Sequence, residues 1–260
     1  MINMKNNKTT ILSNKSRIAQ QSSTVIDEGL RAYMLRVYNY MASGVLLTGI
    51  FSVLFFNLSG GYGIQITSAG ISGLSSIGYA IYASPLKWLV MLAPLAIVFY
   101  ISFGINRISA ASAQVVFWIF AALMGISLSS IFIEFTGGSI ARVFFITAGT
   151  FGAMSIYGYT TRSDLTKFGS FLIMGLIGII IASLVNLFLK SPAMYFTISI
   201  LGVLIFVGLT AYDTQKIKNM YQVSDIGELM GKKAVMGALT LYLDFINLFI
   251  MLLRLFAQRR

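Results

Sequence analysis

Residues 238–256 read ALTLYLDFINLFIMLLRLF, a run long enough to cross a bilayer with one carboxylate, Asp244, in its middle. A spanning helix needs about 20 mostly apolar residues. A carboxylate placed inside one costs about 2.5–3.5 kcal/mol on insertion scales, so it marks a functional site by default. The run before it ends in residues 208–218, GLTAYDTQKIK, and carries a second carboxylate, Asp213. Consecutive segments with one aspartate each point to a single shared polar site.

Composition agrees with a chain built for lipid. Of its 260 residues, 57% are hydrophobic and 10% charged, with a mean hydropathy of +0.82. A soluble domain carries roughly 25% charged residues. The fold class expected is therefore all-α, a polytopic membrane bundle. Seven segments qualify: Val37–Leu58, Trp88–Gly104, Ser112–Ile133, Ile140–Tyr159, Phe168–Leu189, Ala193–Tyr212 and Ala234–Leu255. The second is short unless its flanks contribute. No period-two alternation runs through them, which argues against a barrel. Residues 1–33 are expected to form a cytoplasmic arm, disordered over Met1–Ser23 and interfacial beyond, and residues 34–260 the membrane domain. The arm has no apolar core of a signal peptide, so the first span is expected to direct insertion.

The chain has no cysteine and no histidine. Disulfides, thiolate chemistry, Ser-His-Asp triads and HExxH zinc sites are thereby excluded. The net charge of +11 lies beside the hydrophobic runs and reads as a topology signal rather than a nucleic-acid surface. Arg31, Arg36, Arg107, Arg162, Lys167, Lys216, Lys218, Lys232 and Lys233 fall on the side of the basic N-terminal arm. The opposite side shows Lys87, Arg142 and Lys190. The N-terminus is therefore expected in the cytoplasm. Arg254, Arg259 and Arg260 conflict with that rule if the last segment crosses fully, and a full crossing is nevertheless expected.

Between the first two spans, Ser59–Pro85 is uncharged and holds six glycines, which suits a flexible or tightly turned outer loop. No Lys-Ser/Thr follows these glycines, so they do not form a phosphate cradle. Glu134 and Arg142 are expected to mark the outer interface. Asp164, Asp225 and Glu228 are expected to be solvated in loops.

No glycine or proline follows Asp213 before Met220, so its helix is expected to continue that far. Asp213 then lies about 10 Å inside the cytoplasmic end of the sixth helix, and Asp244 about 15 Å along the seventh. The helices run antiparallel, which permits the carboxylates to meet. Two carboxylates in one poorly solvated site resist double ionisation, so such a pair holds a proton. They are also hard oxygen ligands, but Ca²⁺ takes about six to eight oxygens, so two aspartates make only a weak metal site. Weak sites suit permeation. Other readings stay open: Asp213 as a solvated helix-end residue beside Lys216, and Asp244 as a packing residue bonded to Asn247 or a tyrosine. Arg107, after the second helix, reads either as a positive-inside anchor or as a bidentate partner for a carboxylate. Protonation would release such a partner, giving a latch.

AYDTQKIK and the run around Asp244 resemble the Bax inhibitor-1 family, bacterial branch. So do residues 30–49 (LRAYMLRVYNYMASGVLLTG), 117–132 (FWIFAALMGISLSSIF) and 141–165 (ARVFFITAGTFGAMSIYGYTTRSDL). The resemblance covers about Leu30 to Phe256. It implies seven helices with the last surrounded by the other six, and a pH-sensitive calcium leak. Asp213 and Asp244 match its di-aspartyl sensor, and Arg107 falls where relatives carry a latching basic residue. Some relatives place an acidic residue in helix two; here Trp88–Gly104 has none and carries Pro94, which leaves the pore lining open.

The expected protein is a multi-pass protein of the bacterial inner membrane and not an enzyme. It needs no cofactor, with Ca²⁺ or another cation as permeant ion and the lipid bilayer as its surroundings. The alternative is a non-conducting regulator of other membrane proteins, such as a membrane protease, in stress or cell-death suppression. An intramembrane aspartyl protease would want GxGD at the second site, where Leu241, Tyr242 and Leu243 precede Asp244. Retinal chemistry would want a mid-membrane lysine in helix seven, and there is none.

Overall fold

In the computed structural model the chain is described over residues 2–67 and 70–260, with side chains from Glu28 onward. The reading of residues 1–23 as a disordered arm lies outside the side chains so described. Seven helices are long and apolar enough to span a membrane. They are α1 (Ile2–Leu58), α2 (Leu86–Gly104), α3 (Ala110–Leu128, carried on by a turn at Ile131–Glu134), α4 (Gly137–Thr160), α5 (Thr166–Leu189), α6 (Pro192–Asn219) and α7 (Glu228–Phe256). The second reaches 19 residues because Leu86 and Lys87 join it, and Pro94 lies inside it.

The last helix is the core of the bundle. Its main neighbours are α1, α3, α4 and α6, while α2 packs chiefly on α3 and α5 on α6. The expectation that all six others surround it is thus refined to an inner ring of four and an outer pair. Aromatic side chains fill the ring. Tyr242 meets the edges of Phe117 and Phe120 at 5.9 and 5.2 Å between centroids, and Phe245 meets Phe144 and Phe151 at 5.6 and 5.5 Å. Such edge-to-face pairs fit the ring quadrupole. The Tyr242 hydroxyl is 2.6 Å from that of Thr48, which donates to the Ala121 carbonyl, so the buried phenol is satisfied between α1 and α3.

Small residues set the closest approaches, as expected where lipid supplies no hydrophobic drive between helices. Gly158 of α4 lies against the backbone of Ala211 in α6, leaving no room for a Cβ. Beside this crossing, the Thr214 hydroxyl reaches that of Ser155 at 3.4 Å.

The glycine-rich link after α1 is tightly turned. It folds into a hairpin, β1 (Gln65–Thr67) against β2 (Gly70–Ser72), and then a short helical stretch ending at Ala83. Gly60 has φ +125°, and a Cβ there would strike the Gly73 carbonyl, so both turn and contact require glycine. The Tyr82 hydroxyl, 2.7 Å from that of Ser129, pins the loop to the end of α3.

The C-terminal segment lies at the same end of the bundle as this loop. Phe135 and Arg259 form an antiparallel bridge, Thr136 N donates to the Gln258 carbonyl at 3.1 Å, and Arg260 N donates to the Glu134 carbonyl at 3.0 Å. Glu134 pairs with Arg259 at 3.3 Å rather than simply marking an interface. The last helix therefore traverses the whole bundle.

The link between α6 and α7 is largely exposed but folds around one buried carboxylate. Asp225 is buried and accepts from Lys233 Nζ at 2.6 Å and from Gln222 N at 3.2 Å. Lys233 also donates to the Met220 carbonyl, and its own carbonyl accepts from the Tyr33 hydroxyl. Glu228 accepts from Ala110 N at 2.6 Å, placing its charge on the N-terminus of α3. The solvated reading fails for Asp225, which is buried with its donors, whereas Glu228 stays exposed while it caps the helix. Asp164 does stay exposed between α4 and α5, and hydrogen bonds from the hydroxyl and N–H of Thr166 hold its carboxyl below the usual carboxylate range. Asp225→Asn is expected to lower stability by about 1.5–3 kcal/mol, the worth of hydrogen bonds to a charged group. Thermal melting of the purified protein in detergent checks this, and an unchanged midpoint would contradict it.

Candidate functional site

Helical periodicity builds the site. Phe206, Leu209, Tyr212, Asp213 and Lys216 recur at helical spacing along one stripe of α6. Thr240, Leu243, Asp244, Asn247, Met251 and Arg254 do so along α7. These two stripes, with a third on α5 from Ile173 to Leu187, line one cavity of about 700 Å³. Asp213 and Asp244 both face it, with residue exposures of 9% and 5%. The sequence places Asp213 as expected, since α6 continues to Asn219 and leaves it about 9 Å from that end. Asp244 lies farther along its helix than expected, about 24 Å, because α7 starts at Glu228 rather than Ala234.

The two carboxyls are mutual neighbours, close enough to exchange a side-chain hydrogen bond. Two ionised carboxylates are acceptors only, so that bond exists only with a proton between them. The surroundings supply little else. Asp244 Oδ2 is buried with no donor of its own. Asn247 Nδ2 donates to the Leu243 carbonyl at 2.8 Å, and the Thr240 hydroxyl to the Met236 carbonyl at 3.1 Å. Neither Asn247 nor Tyr242 partners Asp244, so the packing reading survives only as a protonated residue.

Lys216, one turn beyond Asp213, is the cation that bears on both carboxyls. The other charged group on the cavity wall is Arg254, toward the opposite end. From α5 come apolar side chains and Ser183 but no charge, and Tyr212 is the one further titratable group. Among the described residues, no group of three His, Cys, Asp or Glu side chains converges to hold a metal ion. The pair is a two-ligand site at most.

Arg107 stands apart. It is exposed in the link between α2 and α3, lining a hollow with Phe99, Tyr100 and Phe103. It makes no ion pair within 4 Å of either aspartate. The sequence reading missed the Asp225–Lys233 pair and the Glu228 cap. Their signal was a carboxylate eight residues before a lysine and another opening a helix, both weak. It also passed over Arg254, whose only signal was its conflict with the charge rule.

Residues 30–260 match the family described as "Inhibitor of apoptosis-promoting Bax1". The chain belongs to the Bax inhibitor-1 family. Among its relatives in that family, inner membrane protein YbhL of Escherichia coli K12 is 46% identical over 234 residues, 89% of this chain and 94% of the relative. A protein of Rickettsia prowazekii is 46% identical over 246 residues, 95% of this chain and 98% of the relative. A membrane protein of Streptococcus pyogenes serotype M3 is 35% identical over 235 residues, 90% of this chain and 96% of the relative. The Bax inhibitor-1 match thus takes in both aspartates, Arg107 and all seven apolar helices.

Proposed function

We propose that the chain is a pH-sensitive cation leak of the bacterial inner membrane, with Ca²⁺ as permeant ion and Asp213 and Asp244 as its proton sensor. The membrane assignment draws on the name of the YbhL relative. The observation that carries the reading is two buried carboxyls sharing one cavity, one of them with an oxygen that no protein donor reaches. With one proton between them the pair bears a single negative charge, facing Lys216. A second proton removes that charge and its hold on neighbouring cations. The α6 end is then free to loosen, and flux rises as pH falls. Arg107 serves as a latch in a conformation where the link between α2 and α3 has swung toward Asp213. The reading requires no catalysis and no cofactor.

One observation favours a second reading, a non-conducting regulator of other membrane proteins. The way out from the pair passes apolar Met251 and then Arg254, a poor lining for a cation. Ca²⁺ flux into liposomes holding only this protein separates the two readings. A leak gives flux that increases steadily on acidification. Flux no greater than that of empty liposomes at every pH overturns the leak and leaves the regulator.

A further inference from the structure

The positive-inside rule leaves Lys190, Arg254 and Arg259 unexplained, since all three belong to the C-terminal end of the bundle. The fold gathers them around one cavity of about 510 Å³, together with Ser183, Asn186 and Tyr195. No carboxylate side chain lines it. Arg259 is neutralised by Glu134 at 3.3 Å, but among the described residues Lys190 and Arg254 have no carboxylate within 4 Å. Arg254 is steadied with its guanidinium 5.0 Å over the Tyr195 ring. Ser183, Leu187 and Arg254 also line the larger cavity that descends between α5, α6 and α7, so the two hollows join.

The joined shape is a cationic mouth on a groove that is apolar along α5 and carries Asp213, Asp244 and Lys216 on the facing wall at its inner end. The groove follows α5 from Leu187 back to Ile173, about 21 Å at the helical rise, against a hydrocarbon core of about 30 Å for both leaflets. It is thus long enough for the acyl chain of one leaflet. A guanidinium and an ammonium without carboxylate partners are complementary to a phosphate, and arginine binds one bidentately. We propose that this is a binding site for an anionic phospholipid of the leaflet on the C-terminal side, its phosphate on Arg254 and Lys190 and one chain along the α5–α7 groove. The site does not depend on ion conduction.

The test is native mass spectrometry of the full chain in detergent, titrated with phosphatidylglycerol, phosphatidylcholine or inorganic phosphate. Phosphatidylglycerol is expected to bind at least about tenfold more tightly than phosphatidylcholine, with Arg254→Gln weakening it about tenfold and Lys190→Asn about fivefold, as loss of one cation near a lipid charge implies. Lys190 has φ 51°, which asparagine tolerates, so Lys190→Asn carries the test if Arg254→Gln does not fold. Equal affinity for the two lipids, or variants that bind phosphatidylglycerol like the native chain, would overturn the site. Inorganic phosphate displacing the lipid at equal concentration would overturn the part played by the acyl groove.

Discussion

Asp213→Asn is expected to abolish the pH dependence of Ca²⁺ flux while the protein still folds. On the proposed reading its carboxyl is the partner that shares a proton with Asp244, and an amide does not ionise. A sensor that takes up one proton changes its protonated fraction by up to about tenfold per pH unit above its midpoint and saturates below it, and the variant should lose that whole slope. Asp244→Asn is expected to shift the midpoint of the same transition. Because the groups share one site, the double variant should resemble the stronger single variant rather than the sum of the two. Proteoliposome flux across pH, with melting in detergent to confirm the fold, reads all four proteins. An unchanged pH profile in Asp213→Asn, or strictly additive effects, would falsify the shared sensor.

Gly158→Ala is expected to be the damaging small substitution that bears most directly on the α6 carboxyl. The new Cβ would enter the Ala211 carbonyl, backbone against backbone, where no side chain can turn aside. The helices must separate, and overpacking of this kind costs about 1–3 kcal/mol. The displaced stretch of α6 carries Asp213 two residues on, so the pH midpoint of flux should move with the stability. Gly152, on the same helix, has nothing within 4 Å of a built Cβ and serves as the control. Equal melting temperatures for Gly158→Ala and Gly152→Ala would show that α4 and α6 do not touch so closely.

Hydropathy found the seven helices but could not rank them. The most apolar window, mean hydropathy 2.6, belongs to α5, of which 11% is buried; α7 has 1.9 and is 72% buried. In a bilayer the surroundings of a lipid-facing helix are as apolar as a core, so apolar character alone does not tell inside from outside. What marks α7 is its mixture: Asp244, Asn247 and Tyr242 among leucines and phenylalanines, which only protein neighbours can accommodate. The aspartate pair was legible for the same reason, since each residue is conspicuous in its run. Asp225 was not. Its partner Lys233 is close in sequence, but the pair is covered by Tyr33, which arrives from the first helix and packs on the neighbouring Tyr221. The tail at Gln258–Arg260 was equally opaque, because most of its bonds go to backbone groups around Glu134, and the Arg259–Glu134 pair joins residues 125 apart in the chain.

A central α7 carries a consequence for biogenesis. The ribosome delivers this helix after the four that ring it and the outer pair, so a scaffold with a vacant slot can form before it arrives. Asp244 can then pass from the insertion machinery straight into a protein-lined berth without ever facing acyl chains, and the energetic penalty that would otherwise keep an acidic residue out of the membrane never arises during assembly.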